Sequence, residues 1–238
     1  MRTFWLFYTA EFKLSLREMS SFIFGLFLPI GLMALMGFLA SSNEELTSSF
    51  AAVATIGIVS TGVMSLPLSL SSYREKKVLK RYKVTPVSPS QLLLAHVAYC
   101  FSLSIVSMLA VYLVATLGFG MTFAGSYVRF ILFYVIIMVS IHAIGMVIAS
   151  LSPREKTTGA ISSAVFFPMF LLSGATIPLS VMPSALESLG QIFPLTHGIQ
   201  LLQTTVQQQP FDHWFSLFIL LMISLIGVVV SIRSFKWE

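Results

Sequence analysis

Apolar residues run in six long stretches along the chain, separated by short polar segments. The stretches lie over about Phe22–Ala40, Phe50–Ser71, Leu92–Leu117, Tyr127–Ser150, Gly159–Ile177 and Trp214–Ile232. Each is near the ~20 residues that a helix needs to cross a hydrocarbon core. The second is crowded with Gly, Ser, Thr and Ala, which let helices approach closely, so it is expected to face other helices more than lipid. Pro29 and Gly31 interrupt the first, as a membrane helix tolerates. Ahead of it, Phe4, Tyr8, Phe12 and Leu16 recur every four residues among Glu11, Lys13, Arg17 and Glu18. That pattern predicts an amphipathic helix over residues 1–20 lying in the cytoplasmic interface, the plainer alternative being a charged lead-in to the first span.

One strongly polar island, SYREKKVLKRYKVTPVSPS from Ser72 to Ser90, sits between the second and third stretches. Arg74, Lys76, Lys77, Lys80, Arg81 and Lys83 crowd into it. Each would cost roughly 2.5–3.5 kcal/mol at the centre of a bilayer, so the segment cannot cross and is expected to lie on the cytoplasmic side. Arg74 to Val84 is free of Gly and Pro and predicts a short amphipathic helix, while Pro86 and Pro89 impose an extended turn before the third span. By charge alone, this loop of residues 73–90 reads equally as a solvated determinant of topology.

A smaller basic connection, SPREKTT from Ser152 to Thr158, carries Arg154 and Lys156, and from Thr157 to Ile232 there is no Lys or Arg. An additional inner loop in that gap would lack positive charge, which leaves one span up and one span down. The material between, residues 178–212, is half apolar and cut by Pro178, Pro183 and Pro194 into pieces too short to cross. It predicts a re-entrant helical hairpin on the outer side, between spans five and six. The expected fold is therefore an all-α membrane protein of six transmembrane helices with both termini cytoplasmic, forming a single domain over residues 1–238. All of the 14 Lys and Arg residues except Arg129 then fall on the inner side.

Composition agrees. Hydrophobic residues make up 56% and charged residues 10% of the chain, with mean hydropathy +0.90, against about 25% charged in a soluble protein. The net charge of +5 arises from membrane-edge clusters, which fits lipid headgroups or an acidic protein face rather than nucleic acid. A single cysteine, Cys100, excludes an internal disulfide or a cysteine metal site and reads as a packing residue. No phosphate-binding G-x-x-x-x-G-K-[ST] motif occurs, so ATP hydrolysis would fall to another subunit. The spans hold no Asp or Glu, and His96, His142, His197 and His213 are scattered, so no catalytic residues and no metal ligands are expected. His142 reads better as an interhelical hydrogen-bonding residue than as a proton relay.

Two stretches resemble the permease subunit of ABC-2 type transporters, the membrane half of bacterial exporters of the drug- and antibiotic-efflux kind. One is Phe166 to Gln203, with Ser173 and Gly174, Pro178, Met182 and Pro183, then Pro194, Leu195 and Thr196; the other is Tyr73 to Val97. The resemblance implies two permeases pairing as homodimer or heterodimer, each docking an ATPase subunit that uses ATP and Mg, with no cofactor bound by this chain. It places ATPase coupling at Arg74, Glu75, Lys76, Lys77, Lys80, Arg81, Thr85 and Pro86, a second cytoplasmic contact at Arg154 and Glu155, and an external gate at Pro178, Pro183 and Pro194. Surfaces rich in Phe, Met, Ser and Thr fit a hydrophobic or amphipathic cargo, such as a drug, lipid or peptide antibiotic, moved outward across the bacterial cell membrane. An ion or a polysaccharide precursor is the alternative cargo. A scaffold or signalling subunit that binds a partner without transport is the alternative function.

Overall fold

A computed structural model describes residues 2–15, 23–78, 89–152 and 154–234, and within them every regular element is helical. Helix α1 is Arg2–Ser15 and α2 is Ile23–Leu39. Then α3 runs unbroken over Asn43–Glu75 and α4 covers Pro89–Leu113, prolonged by a wider π turn, Val114–Gly118. Next come α5, Tyr127–Leu151, and α6, Glu155–Leu172. Two short helices, α7 Ser184–Gly190 and α8 Pro194–Val206, precede the last, α9 Trp214–Ser234. Four helical stretches are long and apolar enough to cross a membrane: α3, Gln91–Gly118, α5 and α9; α2 is a shorter apolar helix.

The hub is α3. Within the molecule 83% of its apolar stretch is buried, against 22% for α9, which turns Trp214, Phe215 and Ile232 outward. This is the result expected from its small residues. Gly145 of α5 lies so close to Gly62 of α3 that a methyl group there would overlap the Gly62 carbonyl. Phe50, Ile56, Ile137, Ile141, Phe166, Met169 and Leu195 fill the core that α3 shares with α5, α6 and α8. Between membrane helices such packing, rather than release of water, supplies the cohesion.

Several boundaries differ from the pattern-based expectation. The polar run Ser41–Ser49 is mostly helix, because Ser42 Oγ accepts the Glu45 N–H at 3.2 Å and Glu45 Oε2 accepts the Ser41 N–H at 2.8 Å. Two of the exposed N-terminal donors are thereby satisfied. At its other end, α3 continues through Arg74 and Glu75, which therefore close a spanning helix instead of opening an amphipathic one. The chain leaves α3 at Lys77, whose φ of 56° lies in the left-handed region that terminates helices. Lys80, Arg81, Thr85 and Pro86, and with them most of the expected helix Arg74 to Val84, lie outside the described residues. So does the end of the 1–20 helix beyond Ser15.

The segment after α6 breaks where its prolines predict. Pro178 precedes a single 3-10 turn, Leu179–Val181, Pro183 precedes α7, and Pro194 opens α8. At a helix start the missing N–H is no loss and the fixed φ is already helical.

Candidate functional site

The end of α3 meets the turn between α5 and α6. Arg74 Nη1 donates to the carbonyls of Ala149 (3.0 Å) and Ser152 (2.8 Å), at the C-terminus of α5. Glu75 Oε2 accepts the Glu155 N–H at 2.8 Å, at the N-terminus of α6. A helix C-terminus exposes carbonyls and carries partial negative charge; an N-terminus exposes N–H groups and carries positive charge. Two adjacent residues of opposite sign thus hold both ends of the α5–α6 turn. Arg74 and Glu75 are therefore joined to Glu155 as clamp residues, and half-buried Arg74 is directed at the protein. Lys76, Lys77, Arg154 and Lys156 remain exposed on the same face.

Above this face a cavity of about 570 Å³ opens between α1, α2 and α3. Leu14, Phe24, Met64 and Leu68 supply apolar wall, Ser60, Ser65, Ser69 and Ser72 supply hydroxyls, and Lys76 and Glu155 stand at its charged mouth. A second cavity, of about 270 Å³, lies toward the other end of α3 under the Pro178 segment. Its polar lining is uncharged: Ser48, Ser49, Ser173, Thr176, Thr196, Gln200 and Gln203. Ser60 Oγ and Ser173 Oγ, one in each wall, are buried without a hydrogen-bond partner. Ser48 and Ala52 of the second cavity, and Ser60, Met64, Leu68 and Ser72 of the first, stand multiples of four residues apart on α3. Every fourth residue drifts around a helix of about 3.6 residues per turn. The π turn Ser60–Ser65 lies beyond the dozen α-helical positions from Ser48 to Ser60, over which the helix face turns by about 120°, so the two cavities open on different sides of α3.

A polar knot braces the back of α3. Thr61 Oγ1 lies 2.6 Å from Ser104 Oγ and 3.4 Å from His142 Nε2, and His142 Nδ1 lies 2.8 Å from the Met138 carbonyl. His142 thus takes the interhelical role that its isolation in the sequence implied. Arg129, the outer cation of the sequence, packs its guanidinium 5.5 Å from the Phe211 ring centre.

Of the prolines expected to form an external gate, Pro178 lines the second cavity, while Pro183 and Pro194 stand at the starts of α7 and α8. Gln203 Nε2 donates to Ser48 Oγ at 2.8 Å and Gln208 bonds the Ala124 carbonyl, which ties this segment to α3 and to the turn before α5. His197, with its imidazole pKa lowered by burial, is 3.0 Å from Ser216 Oγ.

One cluster escaped the sequence reading. Glu11, buried on α1, has its oxygens 2.8 Å from Tyr73 OH and 2.9 Å from His96 Nδ1. Cys100 Sγ is 3.7 Å from His96 Nε2, so the carboxylate and the thiol sit on opposite ring nitrogens and do not converge as metal ligands. The available signal was the i, i+3, i+4 set Tyr8, Glu11 and Phe12, a carboxylate on the aromatic face of a helix.

The chain matches the ABC-2 type transporter family over residues 2–206. Nodulation protein J of Sinorhizobium fredii (strain NBRC 101917 / NGR234) is 24% identical over 160 residues, 66% of this chain and 60% of that protein. Nodulation protein J of Rhizobium leguminosarum bv. viciae is 34% identical over 68 residues, 29% of this chain and 26% of that protein. A probable multidrug ABC transporter permease, YbhR of Escherichia coli (strain K12), is 26% identical over 150 residues, 63% of this chain and 40% of that protein. The matches thus span less than two thirds of each relative's own length.

Proposed function

We propose that this chain, which belongs to the ABC-2 type transporter family, is the membrane-spanning permease subunit of an ATP-driven exporter. It is a multi-pass cell membrane protein, and permeases of this family work with a separate ABC ATPase subunit. In this reading six helices span, both termini are cytoplasmic, and residues 1–238 form one transmembrane domain. Two permeases pair, each with an ATPase that uses ATP and Mg. The observation that carries the reading is the clamp: Arg74 and Glu75 join the exposed bases Lys76 and Lys77 to the α5–α6 turn. A protein docked on those bases can displace three spanning segments at once, as a rigid body.

The cargo in this reading is a hydrophobic or amphipathic compound moved outward. The inner cavity, apolar along Phe24, Met64 and Leu68 and hydroxylated along its serines, suits an amphiphile that enters from the inner leaflet.

Two measurements test this. The double variant Lys76→Glu/Lys77→Glu is expected to insert normally and to lose most copurification with the ATPase at moderate salt; an intact complex would refute docking there. The reconstituted complex is then screened for stimulation of ATP hydrolysis by amphiphiles, inorganic ions and polysaccharide precursors. Stimulation by ions alone would remove the cargo assignment and keep the permease, whereas hydrolysis that answers to no ligand would favour a scaffold or signalling subunit.

A further inference from the structure

Glu11 is the one buried carboxylate among the described residues. A helix that merely floats in the interface would turn it to the headgroups, where Trp5 and Leu6 show that α1 has an open side. Instead it points into the protein, and its α1 neighbours explain how. Tyr8 OH donates to Ser102 Oγ at 2.9 Å and the Phe12 ring lies edge-on to Tyr99 at 6.4 Å, so one face of α1 is laid on α4.

Those two contacts would hold α1 on α4 without any charge. Burial of a carboxylate is unfavourable unless its oxygens are fully engaged, and an apolar side chain would pack there without that requirement. The carboxylate does what an apolar residue cannot, which is to bond two different helices. Tyr73 belongs to the last turn of α3, beside the Arg74–Glu75 clamp, and His96 to the second turn of α4. These are the two flanks of the basic segment 79–88.

Resting on the permease reading, we propose that Glu11 is a positioning residue that latches α1 to both flanks of the cytoplasmic basic loop. A push on the loop then reaches α3 and α4 together instead of being absorbed at the Lys76–Lys77 turn. A carboxylate only accepts, so Tyr73 OH and His96 Nδ1 both donate to Glu11. Glu11→Gln keeps the length and one acceptor oxygen but replaces the other with a donor, and so opposes the pair of donors.

The test has two arms. With the permease alone in nanodiscs, Glu11→Gln is expected to raise amide exchange at least tenfold both in residues 2–15 and in residues 66–78. Tyr8→Phe, which breaks an α1–α4 bond only, raises it in α1 alone. No change over residues 66–78 in Glu11→Gln would overturn the latch. In the complex with the ATPase, a Gln208→Cys reporter in a Cys100→Ser background is labelled with an impermeant maleimide, with and without ATP and vanadate. Glu11→Gln is expected to keep hydrolysis within twofold of the parent and to cut the nucleotide-driven change in labelling at least fivefold, while Tyr8→Phe leaves it intact. A full response in Glu11→Gln also overturns the latch. A parent complex that shows no response counts against the permease reading, and amide exchange then decides the latch by itself.

Discussion

Arg74 and Glu75 are adjacent and opposite in charge, and each ends on the helix terminus that suits its sign. Hydrogen bonds from a charged group are worth about 1.5–3 kcal/mol, so Arg74→Ala should lower stability by about 2 kcal/mol by leaving the Ala149 and Ser152 carbonyls short of a donor. Glu75→Ala removes an exposed cap and should lose only about 1 kcal/mol. Denaturant unfolding in detergent checks both; equal losses would mean that the half-buried guanidinium contributes no more than the exposed cap. The close crossing of α3 and α5 gives a sharper test. Gly145→Val forces a side chain onto the Gly62 backbone, which cannot rotate away, and should cost about 3 kcal/mol. Gly31→Ala, with nothing within 4 Å, should be neutral or stabilising. At this scale the sequence was least legible. Glu11 and His96 lie 85 residues apart, and although Glu11 shares a helical face with Tyr8 and Phe12, nothing local pairs it with His96. Arg74 looked like one more base in a run, because charge counts do not say which member of a run turns inward.

Elements were easier to read, since period and proline act locally. The apolar stretches at Leu92–Leu117, Tyr127–Ser150 and Trp214–Ile232 became helices with nearly those limits, and Pro178, Pro183 and Pro194 each stand at the start of a helix or turn. Misplaced limits have local causes as well. The Ser42–Glu45 cap extends α3 backward, and the same charges that forbid a membrane centre are comfortable on its last turn, at a helix end. The π turns left no mark in composition, because an inserted residue changes winding and not hydropathy. The side on which the α7–α8 hairpin lies follows in our reading from the missing positive charge between Thr157 and Ile232. Cysteines at Ser184 and Gln208 in a Cys100→Ala background are then expected to react with an impermeant thiol reagent applied outside intact cells. Reaction of either only from the cytoplasmic side would overturn the hairpin assignment and the six-span arrangement with it.

For the whole molecule, the question is whether the two cavities are stations on one route. They lie along the same helix, α3, roughly 1.5 Å per residue apart over the dozen positions from Ser48 to Ser60, or about 18 Å. That is about half the thickness of a hydrocarbon core. Of these two the first, lined by Phe24, Met64 and Leu68, is larger and more apolar, and the second is smaller, its polar lining being uncharged amides and hydroxyls. The serines that face both spaces, Ser60 and Ser173, have no internal bonds to lose, so enlarging them acts by filling the space more than by breaking contacts. If the route is shared, Ser60→Phe and Ser173→Phe should each reduce export of the amphiphile that best stimulates hydrolysis by at least tenfold. Both should leave the complex assembled and its basal ATP hydrolysis within about twofold, because Arg74 and Glu75 line neither cavity. Blocking two stations on one route removes nothing further, so the double variant should be no worse than the more severe single one. Multiplying defects would place the cavities on separate paths, and an inert Ser60→Phe would take the inner cavity off the route altogether.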